Sequence, residues 1–453
     1  MSSIIQKKHR IILPLILYLC FKQFCQKQHD VNASLLKSDL ALKRRIKERV
    51  PWSVINERIS DNHFRRMFIM TRKCFNLLCS RIITSIGERA FLSEKYINAF
   101  VSGNDHFNSR LLGIYKAHLN TSGGFISGEI KLAITLRMLA GGSPLDLAIL
   151  FDVSESHCKT LFTKVLISWI IKPNVGQIDI ESYLEDDDAM KRVAIGFSQR
   201  SGGILKDAIG ATDGWLVKIS RPWESRDSIA NPASFFSRKG FYALNVQCIV
   251  DNDKKVLWAS YSNRGSSHDS TCFRDSHLYQ VLLKSKRDHL FDLGFFILGD
   301  SAYAIESFIL PPYDNAKSKS EEDSYNFYQS SARITVECAF GEIDRRWGIF
   351  WSAIFYSLEN TCIICEGAMH LHNFLVDYRN SLEDPLSEIE KENEIFHYDQ
   401  IDNGIVSYAV TNDSVRPRGR PSYDEVECRQ KGLLLRDHLR SAFATNNMHR
   451  PTN

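Results

Sequence analysis

Three carboxylates in this 453-residue chain fall where metal or acid–base chemistry would need them. Asp213 lies in Ile209-Gly210-Ala211-Thr212-Asp213-Gly214, within an apolar run that predicts a strand. Strand alternation puts its side chain on the face shared by Ala211, Trp215 and Val217. An ionised carboxylate in that series is costly unless it is paired or bound to a metal, and Gly214 beside it permits close approach of backbone or ligand. Asp300 ends a second apolar run, Phe295-Phe296-Ile297-Leu298-Gly299-Asp300. Carboxyl ends of strands in open α/β sheets are where sites form. Glu337 belongs to a helix predicted to begin near Ser331, on which Val336, Phe340, Ile343 and Trp347 form one stripe. It sits at the edge of that stripe, with Arg333 and Gly341 one turn to either side. Glu337 can therefore reach over a sheet, Gly341 leaves space, and Arg333 offers positive charge to a phosphate. Alone, each acid would pass for an unrelated acidic residue. Together they supply hard oxygen donors suited to Mg²⁺ or Mn²⁺. Two such ions can clamp the attacking water and the leaving oxygen of a phosphodiester.

These residues need a sheet and a helix to bring them together. Four apolar runs predict strands at Ala208–Ser220, Tyr242–Asp251, Lys255–Ser262 and Phe295–Gly299. Helical patterns follow at Thr271–Lys284 and Ser330–Trp351, which gives an α/β domain with a mixed sheet over residues 204–378. Upstream, residues 36–170 read as helical. Lys43, Arg44, Arg45, Lys47 and Arg49 cluster before Pro51, either as a solvated helix surface or as a nucleic-acid contact. Phe64, Met67, Phe68, Phe75 and Leu78 recur at helical spacing. Between residues 130 and 170 the pattern is that of a helix-turn-helix. Ile130–Leu139 is closed by Gly141 and Gly142, Leu145–Phe151 follows Ser143-Pro144, Asp152-Val153 makes a tight turn, and Ser154 caps the next helix. Ser156, His157, Lys159 and Thr160 stand near the start of that helix, where groove contacts are made. The same grammar serves plain helical packing. Residues 379–423 are polar and Asn-rich and read as a flexible linker. A helix at about Asp424–Ala444, within a segment 424–453, closes the chain.

Composition narrows the class. Hydrophobic residues at 44% and charged residues at 24% allow a sizeable core in a globular protein. A net charge of +4 is too weak by itself to imply nucleic acid. Eleven cysteines at irregular spacing, with one CxxC at Cys362–Cys365 and no second pair at zinc spacing, read as buried thiols in a reducing compartment. Within residues 1–35, Ile11–Phe21 is apolar and follows a basic start. It has about half the ~20 residues of a spanning helix and no small-residue cleavage site, so it reads as an N-terminal helix or leader, with a signal peptide as the alternative.

The motifs, in order, resemble those of a PIF/Harbinger-type DDE transposase or a nuclease derived from one. They are Gly210-Ala211-Thr212-Asp213-Gly214, Gly265-Ser266-Ser267-His268-Asp269-Ser270, Leu298-Gly299-Asp300-Ser301-Ala302-Tyr303, Val336-Glu337-Cys338-Ala339-Phe340-Gly341 and Leu371-His372-Asn373-Phe374. The likeness covers roughly residues 50 to 440. It implies an RNase H-like core with Asp213, Asp300 and Glu337 as a DDE triad, and the 37-residue step from Asp300 to Glu337 suits the last pair. It also implies an acidic residue where Asp269 stands. Asp269 is then a fourth candidate metal ligand, with a helix N-cap as the alternative, and His268 either orients a ligand or is an exposed loop histidine. Trp215 departs from the small polar residue common at that place. The implied activity is Mg²⁺- or Mn²⁺-dependent hydrolysis of DNA phosphodiesters that leaves a 3′-hydroxyl. The implied setting is the nucleus, with the cytoplasm as alternative, and a Myb-like DNA-binding partner protein, assembly with further copies of the chain and no membrane association. A transposase-derived DNA-binding protein that no longer cuts, and a ribonuclease of the same fold, are the alternatives. Candidate DNA contacts are Lys159, Arg333, and Arg418 and Arg420 in Arg416-Pro417-Arg418-Gly419-Arg420-Pro421, which resembles an AT-hook or is a plain basic linker.

Overall fold

The computed structural model describes residues 49–86, 126–170, 175–223, 231–284, 294–382 and 423–451. The apolar N-terminal segment, Lys43–Lys47, most of the acidic linker and the AT-hook-like Arg418 and Arg420 lie outside the described residues.

The amino-terminal part is helical: Trp52–Arg58 (α1), Asp61–Phe68 (α2), Arg72–Ile86 (α3), Gly128–Leu139 (α4), Pro144–Phe151 (α5), Glu155–Ile170 (α6), Ile180–Glu185 (α7) and Asp187–Arg200 (α8). The aromatic periodicity is used as expected, since Phe64, Phe68, Phe75 and Leu78 are fully buried and Trp52 stacks on Phe75 with ring centroids 5.1 Å apart. Between α5 and α6 the chain turns through Asp152 in left-handed backbone (φ 49°). The Ser154 hydroxyl then accepts the His157 N–H at 3.2 Å. Arg49 is no surface cation. It is buried, and its guanidinium donates to the Phe151 and Asp152 carbonyls at 3.1 and 2.9 Å, closing the end of α5.

A five-stranded mixed sheet follows, built from Ala208–Lys218 (β1), Ala243–Val250 (β2), Val256–Arg264 (β3), Phe296–Leu298 (β4) and Ile309–Leu310 (β5). The strand order is β3-β2-β1-β4-β5. The first three strands are antiparallel, while β4 lies parallel to β1 and β5 parallel to β4. The carboxyl end of β4 therefore opens beside the middle of β1. The two-residue β5 carries no periodic signal. Helices Asp269–Arg274 (α9) and His277–Lys284 (α10) replace the single helix predicted there, because the Ser276 hydroxyl accepts the Tyr279 N–H and starts a second helix. Glu321–Arg346 (α11) begins ten residues before the expected Ser331. The Ser320 hydroxyl accepts the Asp323 N–H at 3.1 Å, and Glu321, Glu322 and Asp323 complement the helix dipole. Leu358–Asn380 (α12) and Tyr423–Thr445 (α13) complete the described chain.

Helices cover both faces of the sheet. On one, Ala211, Val217, Val246, Cys248 and Leu298 pack with Val336, Ile343 and Trp347 of α11 and Met369 of α12, in a core that continues to Phe64 and Phe162. On the other, Ile249, Ile297 and Ile309 pack with Phe273, Leu278 and Tyr279. No helix among the described residues is long and apolar enough to cross a membrane.

The Leu371-His372-Asn373-Phe374 motif locks α12 to the β2–β3 turn. The Asn373 amide accepts the Val256 N–H and donates to the Val256 carbonyl, both at 2.8 Å, and His372 donates to the Lys254 carbonyl at 2.8 Å. Burial pushes the His372 imidazole down to about 4, so the ring is neutral at pH 7. Asn373→Ala leaves a buried backbone donor and acceptor unpaired. It should lower unfolding free energy by about 1–3 kcal/mol, measured by denaturant titration.

Candidate active site

β1 and β4 bring the first two carboxylates together. Ala211 is paired with Leu298 in parallel register, so Asp213 and Asp300, each two residues further on, emerge side by side on the α11 face. The Gly214 N–H donates to Asp213 Oδ1 at 2.7 Å, and the Ala302 N–H donates to Asp300 Oδ1 at 2.9 Å. Burial and then the neighbouring Asp300 charge push the Asp213 carboxyl up to about 7. Asp300 is also raised, by burial first and then by the charge of Asp269. Two largely buried acids with raised proton affinity, one of them raised by the charge of the other, are where an added positive charge is favoured.

α11 supplies the third carboxylate and a cation. The Arg333 guanidinium donates to Asp213 Oδ2 at 3.2 Å and to Glu337 Oε1 at 2.6 Å. Arg333 thus bridges sheet and helix, and the fork expected to greet a phosphate is committed to carboxylates. Glu337 is half exposed at the edge of the buried stripe, and Gly341 one turn away opens onto free space. The helix is held down by Trp215, whose ring stacks on Phe340 at 5.8 Å and meets Phe350 edge-on at 4.8 Å. That is the work of the Trp215 side chain. It wedges α11 against β1 and so sets the height of Arg333 and Glu337.

Asp269 lies on the opposite face. Gly214 pairs with Gln247, and Asn245 stands two residues further along β2, so both amides point away from Asp213. Asp269 Oδ1 accepts from Asn245 Nδ2 at 2.7 Å and Gln247 Nε2 at 2.8 Å. Gln247 Oε1 in turn accepts from the Tyr303 hydroxyl at 2.6 Å. Asp269 is not the helix cap: it is the first residue of α9, the cap position belongs to His268, and His268 is an exposed loop histidine without a capping side-chain bond. A Cβ on Gly214 would come 2.2 Å from Asp269 Oδ1 and 2.6 Å from Gln247 Nε2, so only glycine leaves room for this layer. Asn245 and Gln247 were not anticipated. Their signal was present as two amides at alternate positions of an otherwise apolar strand, which share a face and must be satisfied there.

The other sequence candidates stand apart. Lys159, on the exposed polar side of α6, pairs with Glu155 at 2.7 Å. Each of the nine described cysteines is a free thiol, and Cys362 and Cys365 of the CxxC pack against Tyr261 and the sheet core.

As placed, no three His, Cys, Asp or Glu side chains among the described residues stand close enough to enclose an ion. The donor chemistry nonetheless fits a hard divalent cation. Asp213 and Asp300 are adjacent oxygen ligands with raised proton affinity, and Glu337 is held beside them through Arg333, a positive group where a metal would be favoured.

Geometry and motifs agree with the comparisons. Residues 212–373 match the DDE superfamily endonuclease family, a stretch that takes in Asp213, Asp269, Asp300 and Glu337. A curated relative is Protein ALP1-like of Arabidopsis thaliana, 22% identical over 339 residues that cover 72% of this chain and 74% of the relative. No solved structure matches.

Asp213 has a folded pKa of about 7 against roughly 3.9 unfolded, so without metal the folded state binds the extra proton. The contribution of Asp213 to stability is then greatest below pH 4, falls from pH 4 to 7 and levels off above. Asp213→Asn in chelator should raise Tm at pH 8 and lose that advantage at pH 4, read by thermal melts across pH. Gly214→Ala should cost about 1–3 kcal/mol by overpacking, measured in denaturant.

Proposed function

We propose that the chain is a metal-dependent DNA endonuclease of the DDE transposase type, built on an RNase H-like core. The observation that carries this reading is the parallel pairing of Ala211 with Leu298, two residues before Asp213 and Asp300, together with the Arg333 bridge from Asp213 to Glu337. The family match over residues 212–373 supports it.

Asp213, Asp300 and Glu337 would hold the cation, Mg²⁺ or Mn²⁺. When bound, it would supply the Lewis acidity that lets water attack a phosphodiester near neutral pH. The chain's own groups do the rest. Asp213 would have to give up its proton to serve as a ligand, so cation binding would strengthen as pH rises through about 7. The Ala302 N–H holds Asp300 in place, and Arg333 orients Asp213 and Glu337 towards each other. Asp269, fixed by Asn245 and Gln247, adds negative potential behind the site and raises the proton affinity of Asp300. Hydrolysis consumes water and leaves a 3′-hydroxyl and a 5′-phosphate, with no covalent enzyme intermediate. Upstream, the polar face of α6 with Lys159 is the groove-reading candidate. Its exposed pair with Glu155 is worth little in water and yields readily to a phosphate.

A second reading has one specific observation in its favour. Arg333 bridges Asp213 and Glu337 and so partly balances their charge from within the chain, which a transposase-derived DNA-binding protein without cleavage would need. Nicking of labelled duplex DNA in Mg²⁺ or Mn²⁺, against chelator and against an RNA–DNA hybrid, separates these readings. Asp213→Ala, Asp300→Ala and Glu337→Ala should each abolish metal-dependent nicking while far-ultraviolet circular dichroism stays unchanged. Near wild-type nicking by any one of them sinks the assignment of that residue.

A further inference from the structure

We infer that the turn Ser237–Phe241, with Arg238 and Lys239 at its tip, clamps backbone phosphates of the DNA strand that enters the carboxylate site. This rests on the endonuclease reading and names the element that grips its substrate.

A clamp needs a rigid base, and this turn has one. The Ser237 N–H and the Ser237 hydroxyl both donate to the Phe241 carbonyl at 2.8 Å, and the Gly240 N–H donates to the Ser237 carbonyl at 3.0 Å. Gly240 takes φ +81°, with nothing within 4 Å of where a Cβ would stand. Phe236 and Tyr242 pack edge to face across the turn's foot at 5.2 Å, and Lys218 of β1 sits 5.2 Å over the Phe241 ring. The foot is stitched to the Asp269 loop. Ser266 Oγ donates to the Ser234 carbonyl at 2.6 Å, and Gly265 presses so closely on the Phe235 carbonyl that a Cβ would come within 2.7 Å. The foot of the turn is therefore anchored to the Asp269 loop.

Side-chain positions give the function. Arg238 is 70% exposed, yet its guanidinium lies 3.9 Å from Asp269 Oδ2, and its charge lowers the proton affinity of Asp300. An arginine held loosely at that distance keeps most of its five N–H donors available. Lys239 beside it and Arg264 at the end of β3 are exposed as well. Arg238 thus sets a positive charge beside carboxylates that would otherwise repel a polyanion, and Lys239 follows it in the same turn. Arg333 cannot serve as the phosphate contact while it bridges Asp213 and Glu337. The guanidinium fork matches two phosphate oxygens, and Lys239 adds a second point charge.

The test measures binding of a labelled duplex oligonucleotide to the full chain by fluorescence anisotropy, in chelator so that cleavage plays no part, across a salt series. Arg238→Ala with Lys239→Ala should lower the slope of log affinity against log salt by about two, since each phosphate neutralised by the protein adds roughly 0.9 to that slope. Arg238→Lys should keep the slope because the charge is kept, and Lys191→Ala on α8 should leave both slope and affinity unchanged. If the double variant melts early, Arg238→Gln and Lys239→Gln, each expected to remove about one unit of slope, repeat the measurement. Wild-type binding with an unchanged slope in the variants overturns the clamp and leaves the endonuclease reading standing. A wild-type chain that does not bind duplex at all, in any salt, overturns the DNA reading and the clamp with it.

Discussion

The parallel pairing of β1 with β4 is the constraint on which the site depends. It sets two carboxylates side by side in a half-buried place where neither ionises freely. A fold can carry such a pair only if something nearby is positive. Arg333 meets that need, and it does so from a helix, so the helix must be held at a fixed height above the sheet. Val336, Ile343 and Trp347 bury one side of α11, and Trp215 braces it from β1. The apolar core beneath the site and the charge balance within it are thus parts of one arrangement.

A second layer answers a different need. Opposite Asp213, the sheet buries two amides and an acid where apolar side chains would be the simpler choice. Asn245, Gln247, Asp269 and Tyr303 satisfy one another, and a buried polar network of this kind is costly to leave half-made. Its effect is to fix the Asp269 carboxylate behind β1. Gly214 is what both layers share. Its N–H holds Asp213 in front, and its missing side chain admits Asp269 behind.

Much of this was legible in the sequence, for stateable reasons. An acid at an apolar position of a strand, an acid at a strand's end, and an acid at the edge of a helical stripe are each anomalies of pattern, and they mark Asp213, Asp300 and Glu337 as candidates. Ser154 and Asp152 were legible because caps and turns are local. What stayed hidden depends on pairing. Nothing in the order of residues says which carboxylates Arg333 will reach, or that Asp269 will bond across to β2 rather than cap its own helix. The start of α11 lies earlier because the helix begins with capping and an acidic first turn at Ser320–Asp323, and its first buried apolar residue, Tyr325, stands among polar neighbours. β5 is two residues long and exists only because β4 offers it an edge. Arg49 looked like a surface cation among others, and only the fold gives it a buried helix end to close.

Around the site stand four carboxylates, Asp213, Asp269, Asp300 and Glu337, and two guanidiniums, those of Arg238 and Arg333. Fully ionised, the group is two charges short of neutral. One proton taken up by Asp213, whose carboxyl titrates at about 7, covers part of that deficit. A divalent cation would cover the whole of it, and its arrival would free Arg333 from the role it now fills. The arginine bridge is one answer to that deficit, and a bound divalent cation would be another.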